Sequence, residues 1–420
     1  MNISKTISDI KTGFLPTFWV ANVIELLERF AFYGSKAVLT VYLATKAGFD
    51  VQTAGTMAGT FSLFLWSFPI IAGVFVDRYG FKRTLAACFA FFTIGYFLIG
   101  LAGLEYGQTI NEAIGKTTYM YIVLILTAIG GSLIKPCIVG TVAKTSKPDV
   151  QSLGYSIYYT LVNLGGAIGP ILALQVREGL GIEYVLIMSS FTSLLLFVGT
   201  LFFYKEPPKA FDEKPQSSLG KVFRDMLTVF TNVKFILFLV IFSGFWIMFW
   251  QIFYSFPFYV TEVLKFPRFE ILETVDAWSI ILFSVPLTAL AMRFSPITAM
   301  TIGFLIASSS WLLMAVEPTV TMAVIAMILF AVGESIQAPR FYEYVASLAP
   351  KEQVGTYMGF AFLPIAIGSF VAGVLSGWLV ETYLRQSMNP NMMWFTLAAI
   401  GFASTILMLL YNIFIVKRKG

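Results

Sequence analysis

The sequence predicts an all-α membrane protein with twelve spanning helices in two six-helix bundles. Three observations carry this reading. Hydrophobic residues make up 58% of the 420 and charged residues 12%, with a mean hydropathy of +0.81. A soluble domain carries about 25% charged residues, so this chain cannot cover a water-facing surface and takes the bilayer as its solvent. Apolar runs of ~20 residues, the length that crosses a bilayer, recur along the whole chain. One long polar stretch, Lys205 to Asn232, divides them into two sets.

The first set falls near 16–44, 53–76, 84–104, 118–143, 152–176 and 184–204. The second falls near 233–261, 271–292, 297–316, 319–347, 354–382 and 391–416. The expected organisation is an N-terminal bundle over 1–204, a linker over 205–232 and a C-terminal bundle over 233–420. The first run already carries Glu25, Glu28 and Arg29, unlike the short apolar core of a signal peptide, so no cleavable leader is expected. Pro69, Pro136, Pro170, Pro257, Pro286, Pro339 and Pro364 fall inside runs and can bend them. The linker opens on Glu206-Pro207-Pro208. Its second part sets Leu219, Val222, Phe223, Met226, Leu227 and Phe230 at helical spacing, an amphipathic surface helix with Ser217 or Ser218 as cap.

Charge orients the chain. Of 28 Lys and Arg, four lie inside runs and six in one set of loops (Lys46, Lys116, Arg177, Lys265, Arg268 and Arg385). The other eighteen lie on the opposite side, together with both termini. The positive-inside rule then makes both termini cytoplasmic, in a multi-pass protein of the plasma or inner membrane. The halves repeat weakly: runs begin near 16 and near 233, and Arg78 and Arg293 occupy similar loops.

Several function classes are disfavoured. The basic residues form no stripe or arm, so no nucleic-acid partner is expected. Cys88 and Cys137 both sit in apolar runs and read as buried free thiols, with no disulfide or metal framework. With no metal-ligand cluster and no phosphate-binding loop, neither an enzyme nor a cofactor is expected. There is no histidine, so any proton relay must run through carboxylates.

Eight charged residues stand out inside the runs: Glu25, Glu28, Arg29 and Lys36 in the first, Lys135 in the fourth, and Glu334, Arg340 and Glu343 in the tenth. Four acids match four bases. Each costs a few kcal/mol at the bilayer centre, so they should face inward and find partners. Glu25, Glu28, Arg29 and Lys36 share one face of a helix. One reading is mutual neutralisation that glues helices together, which suits the i, i+3 neighbours Arg340 and Glu343. The other is a proton and solute pathway.

Glu25-Leu-Leu-Glu28-Arg29-Phe30-Ala-Phe32-Tyr33-Gly34-Ser-Lys36 resembles the ExxERFxYYGxR/K signature of the proton-coupled oligopeptide transporters, a branch of the major facilitator superfamily. Leu133-Ile-Lys135-Pro136 resembles that family's FKPN segment, and Tyr155-Ser156-Ile157-Tyr158-Tyr159 through Asn163 its FSIFYxxIN pattern. Gly333-Glu334 with Pro339 resembles the GExxxSP pattern, and Gly359 to Ser369 resembles WFLxxxxGN with Ala361 for Trp and Ser369 for Asn. Gly73 to Arg83, with Asp77 and Arg78, resembles the superfamily's motif between its second and third helices. Phe245-Trp246-Ile-Met-Phe249-Trp250-Gln251 aligns with FWxxFEQ, but Trp250 stands where the acid should be.

The resemblance implies the major facilitator fold and secondary active transport by alternating access, as proton-coupled symport of a small organic solute, peptide-like or amphipathic. It implies a coupling cluster of Glu25, Glu28, Arg29 and Lys135. Tyr33, Lys36, Tyr159, Asn163 and Glu334 would bind the solute, with Trp250 offering an aromatic face, and Asp77 and Arg78 would gate. Two bland readings stay open: interhelical hydrogen bonding for Tyr155, Tyr159 and Asn163, and packing for the aromatic stripe Trp246 to Tyr254. The rival functions are a carrier of drugs, nucleosides or organic anions, and a membrane scaffold or receptor that moves nothing. The expected partners are a small-molecule substrate, protons and the lipid bilayer.

Overall fold

The computed structural model describes residues 10, 12–208, 219–350 and 353–416. The expected caps Ser217 and Ser218 lie outside them. Helix follows helix, and the β structure among the described residues is one isolated bridge between Phe14 and Ser146.

The first helix, α1 (Pro16–Thr45), starts on Pro16, whose missing N–H would be unpaired in a first turn anyway. Its 30 residues reach about 45 Å at 1.5 Å per residue. Asp50 caps α2 (Val51–Ser67) by accepting the Thr53 N–H at 2.9 Å. Those bonds from the Thr53 side chain and backbone hold the Asp50 carboxyl below its usual range. The second apolar run is broken rather than continuous. It stops before Pro69, and α3 (Pro69–Tyr79) departs at 48°, because a proline ring excludes the carbonyl four residues back.

Gly80, at φ +82°, turns the chain into α4 (Phe81–Leu101). A short helix, α5 (Glu105–Ile114), then forms in a loop where no helix was expected. Pro136 has the same effect as Pro69, splitting the fourth run into α6 (Lys116–Gly131) and α7 (Ile134–Thr145). Two long helices follow, α8 (Gln151–Gly179) and α9 (Ile182–Phe203). The linker helix is α10 (Leu219–Phe230).

The seventh run breaks into α11 (Val233–Phe249), α12 (Gln251–Tyr254) and α13 (Phe256–Glu262), the last with Pro257 in its first turn. Next come α14 (Phe269–Ala291), α15 (Pro296–Val316) and α16 (Val320–Leu348). The eleventh run is α17 (Val354–Phe360) and α18 (Leu363–Leu379), broken just ahead of Pro364. The last helix is α19 (Pro390–Tyr411).

Among the described residues ten helices are long and apolar enough to cross a membrane, and the bent α2–α3 pair makes eleven. The length of α1 suffices, but its four charges dilute its apolar character.

In the first part of the chain α1 packs on α8 and α9, α4 on α9 and α6, and α2 on α6. In the second, α11 packs on α18 and α19, α15 on α16 and α19, and α14 on α16. Two main seams join these groups, α2 with α18 and α8 with α14, and α1 also meets α12 and α14 while α3 meets α17. The first is built on glycine. A Cβ added to Gly55 would lie 2.4 Å from the Gly373 carbonyl oxygen, and one on Gly373 2.4 Å from that of Gly55. Small residues are what let membrane helices approach this closely.

The second seam is ionic. Arg177 pairs with Glu270 and donates to the Pro267 carbonyl at 2.9 Å, while Arg268 lies 2.8 Å from Glu178. These contacts close the end of the molecule that carries the Lys46 loop. Toward the other end Tyr155, Tyr159 and Tyr342 are exposed.

Candidate functional site

Three polar groups lie buried between the helices. The first centres on α1. Lys135, near the start of α7, reaches across to place Nζ 2.9 Å from Glu25 Oε1, and Arg29 Nε lies 3.5 Å from the same oxygen. Arg29 also pairs with Glu28 at 2.5 Å. Glu25, Glu28 and Arg29 are each at most 3% exposed. The four residues expected to cluster are therefore in contact, and their charges cancel. The balance is incomplete at the level of hydrogen bonds: Glu25 Oε2 and Glu28 Oε1 have no partner.

Tyr158 on α8 belongs to this group although it was not singled out. Its hydroxyl accepts from Lys135 at 2.8 Å and donates to Glu25 at 3.3 Å. Sequence reasoning followed the i, i+4, i+8 face of Tyr155, Tyr159 and Asn163. Tyr158 lies one position, or about 100°, around the helix from Tyr159. The break ahead of Pro136 matters here, because the Lys135 side chain leaves α7 within its first turn.

The second group surrounds Lys36, two turns further along α1. Its ammonium donates to Ser62 Oγ at 2.7 Å and to the Tyr254 hydroxyl at 2.9 Å. It also sits 4.5 Å from the ring centroids of Trp250 and Tyr254. No carboxylate among the described residues pairs with it. Trp250 is 2% exposed, and the face expected to receive a solute is turned to Lys36 instead. An indole is a strong cation–π partner, so the residue that replaces the family's acid still serves a cation of this chain. The aromatic stripe on α11 and α12 is largely packing: Phe245, Phe253 and Tyr254 are buried with it.

The third group is on the C-terminal helices, and the sequence reading found only part of it. Glu334 on α16 is half-buried, and its Oε2 has no hydrogen-bond partner. Asp276 and Glu273 are buried one turn apart on α14, which packs on α16, and both have carboxylate oxygens without a hydrogen-bond partner. Both acids fall inside the 271–292 run and were passed over when eight charges were singled out. Their flanks are so apolar that the run still reads as a span. Counting acids against bases in each helix would have flagged them, since α14 holds three acids and no base.

The other expected residues do not join a common site. Asn163 donates to the Tyr159 carbonyl at 2.9 Å, a bond within its own helix. Glu334 shares no ion pair or hydrogen bond with Lys36. Arg340 pairs with Glu343 and donates to the Phe294 carbonyl at 2.6 Å, which is the neutralising reading for that pair. Asp77 and Arg78 are exposed at the end of α3, Arg78 lying 5.5 Å from the Tyr79 ring. Beside them the linker's Glu206 accepts the N–H groups of Phe81 at 2.6 Å and Lys82 at 2.9 Å, capping α4. Cys88 and Cys137 are buried free thiols.

Comparison with known proteins fits this architecture. A profile of the Major Facilitator Superfamily matches residues 22–275 and 269–418. Dipeptide and tripeptide permease B of Aliivibrio fischeri (strain MJ11) is 28% identical over 184 residues, 43% of this chain but only 34% of the permease. The matched stretch thus spans about a third of that relative's length. Multidrug resistance protein MdtH of Blochmanniella pennsylvanica (strain BPEN) is 21% identical over 374 residues, covering 88% of this chain and 86% of that protein. Among solved structures, a POT family transporter in complex with a thioalcohol conjugated peptide superposes with a TM-score of 0.75 at 17% identity, covering 94% of this chain and 96% of that one. The profile takes in nearly the whole chain, and the helices pack as that fold requires: this protein is a multi-pass membrane protein that belongs to the Major Facilitator Superfamily.

Proposed function

We propose that this chain is a secondary active transporter that couples proton movement to symport of a small organic solute, peptide-like or amphipathic. Its working units are an N-terminal bundle over 1–204 and a C-terminal bundle over 233–420, joined by the 205–232 linker. Twelve spans result when the charged α1 is counted with the ten apolar helices and the bent α2–α3 pair. Both termini are cytoplasmic, so the Arg177–Glu270 and Arg268–Glu178 pairs close the outer face. Alternating access is a rocking of the bundles about the two seams.

The observation that carries the coupling is the buried ion pair between Lys135 and Glu25, made across two helices at 2.9 Å. A cation beside a buried carboxylate favours its ionised form, and withdrawal of that cation favours protonation. When rocking draws α7 from α1, Glu25 takes up a proton; when they return, Lys135 displaces it. Glu28, paired only with Arg29, shares this load. Lys36, Tyr33, Tyr159, Asn163 and Glu334 line the solute path, Trp250 backs Lys36, and Asp77 and Arg78 control the inner face.

The test is Lys135→Ala in proteoliposomes. One acid is then left buried without its partner, which costs several kcal/mol unless it neutralises. Gradient-driven accumulation collapses while solute exchange persists. Full accumulation in this variant removes the coupling role. A second reading, a carrier of drug-like amphipathic solutes, is favoured by Trp250 in place of an acid and by a relative named for multidrug resistance that aligns over most of both chains. Dialanine competes poorly for uptake on that reading and well on the peptide reading. A scaffold that moves nothing gives no solute-dependent proton flux at all.

A further inference from the structure

The bend in the second apolar run opens a groove that the transport reading does not use. Ahead of Pro69 the chain turns by 48°, and the space left between α3, α4 and α6 has a volume of 470 Å³. Ile71 and Phe75 of α3, Ala87 and Phe91 of α4, and Ile129 of α6 make its walls apolar. The groove is open along its side, since Phe75 and Tyr79 are 44% and 49% exposed. It also faces away from the C-terminal helices. Ile70 is the α3 residue that meets α17, its Cα lying 3.8 Å from a Cβ placed on Gly359. Ile71 and Phe75 point about 100° and 140° round the helix from it. An apolar opening on the outer side of a spanning helix meets acyl chains rather than water.

One end of the groove is different. Tyr79 and Arg83 stand there, on either side of the Gly80 turn. Arg83 is exposed, and among the described residues its side chain makes no ion pair or hydrogen bond. Arg78, Lys82 and Lys144 are close by, the last with its ammonium 5.2 Å from the Phe81 ring. Four bases thus face two acids, Asp77 and Glu206, and Glu206 is engaged in capping α4. The dimensions fit as well. The 11 residues of α3 rise ~16 Å at 1.5 Å each, about half of a hydrocarbon core ~30 Å thick. The groove therefore runs the depth of one leaflet, from a basic rim to the middle of the bilayer.

We propose that this groove holds an acyl chain of an anionic phospholipid of the cytoplasmic leaflet, with the lipid phosphate on Arg83. A guanidinium matches a phosphate with two parallel hydrogen bonds. Basic pockets between helices on the cytoplasmic side are suited to anionic headgroups, and a tyrosine such as Tyr79 sits well at the level of the headgroups. Lipid tails and leucine are equally apolar, so the chain is held by close packing and the headgroup by charge. The bound lipid braces α3 at its bent angle and gives Arg83 the partner that the protein does not supply. The site lies outside the solute path and stands whether or not the chain transports.

The test uses the purified full-length protein in a nonionic detergent. It is titrated with dioleoylphosphatidylglycerol and, separately, with dioleoylphosphatidylcholine, which has the same chains and no net charge; bound lipid is counted by native mass spectrometry. The parent binds the anionic lipid roughly tenfold or more tightly, the worth of one charge-assisted hydrogen bond. Arg83→Gln removes that preference. Ala87→Phe, which fills the groove, lowers the affinity for both lipids. Arg293→Gln, exposed in the corresponding loop of the second part of the chain, changes neither. Glycerophosphoglycerol, the same headgroup without chains, does not compete. Equal affinity of the parent for the two lipids makes the groove a seat for any amphiphile and overturns the proposal. A preference that survives Arg83→Gln, unchanged affinity in folded Ala87→Phe, or displacement of the lipid by the free headgroup also overturns it. Should Ala87→Phe fail to fold, Arg83→Gln and the headgroup competition still decide.

Discussion

At the residue scale, the chain treats its two kinds of buried cation differently. Lys135 and Arg29 are held by carboxylates, whereas Lys36 is held by hydroxyls and aromatic faces. A carboxylate partner can exchange its cation for a proton, and an indole cannot. That difference is why the first group is the one proposed to couple. Trp250→Ala removes both a buried indole and the face under the ammonium, and a buried Trp→Ala change costs about 3–5 kcal/mol. A large fall in thermal midpoint in detergent is expected, with Trp250→Phe retaining most of the stability. Equal midpoints for Ala and Phe would show that the aromatic face contributes nothing to holding Lys36.

The residue scale is also where the sequence was most and least legible. Glu25, Glu28, Arg29 and Lys135 could be picked out because charges stand out against an apolar background. Tyr158, Ser62 and Tyr254 could not, because a hydroxyl in a membrane helix signals little until its neighbours are known. Asp276 and Glu273 were visible in principle but hidden by the strong hydropathy of their helix.

At the element scale, proline and glycine decide how the runs become helices. Pro69, Pro136 and Pro364 each stand just beyond a break, and Pro257 opens α13. Pro170, Pro286 and Pro339 remain inside continuous helices. Position in the sequence did not separate these classes, since neighbouring helices can satisfy the carbonyls a proline frees. Between α3 and α4 the chain depends on Gly80, whose φ of +82° disfavours any side chain, and on the Glu206 cap. Glu206→Gln keeps an acceptor but loses the charge that favours a helix N-terminus, worth about 0.3–1 kcal/mol when exposed. A slight loss of stability and faster proteolysis within the linker are expected. Gly80→Ala should do more, because its Cβ would also lie 2.7 Å from Glu206 Oε1. If Gly80→Ala matches the parent in both measurements, the linker does not anchor the α3–α4 turn.

At the scale of the whole molecule, the asymmetry of eighteen Lys and Arg against six gives a direct prediction of orientation. In a variant without Cys88 and Cys137, a cysteine at Gln108, exposed on α5, should react with an impermeant reagent added to intact cells. One at Lys205, exposed at the start of the linker, should react only after the membrane is opened. The reverse pattern would turn the molecule over, and with it the side closed by the Arg177–Glu270 and Arg268–Glu178 pairs. The two seams differ in the same way as the two kinds of cation site. The glycine contact of α2 with α18 is short-range and tolerates little separation, whereas the ion pairs of α8 with α14 can part and re-form.

By itself the sequence determined the solvent, the number and order of the apolar runs, the place of the linker and which α1 charges are functional candidates. These follow from composition and local periodicity, which need no knowledge of neighbours. Tertiary structure alone decided that Tyr158 joins the Lys135–Glu25 pair, that Trp250 faces Lys36, and that Glu273 and Asp276 are buried on α14 without an ion pair among the described residues. The first two are pairings between helices far apart in the chain. In a bilayer, where lipid tails are as apolar as leucine, hydropathy does not select such partners. Close packing and the need to satisfy buried polar groups do.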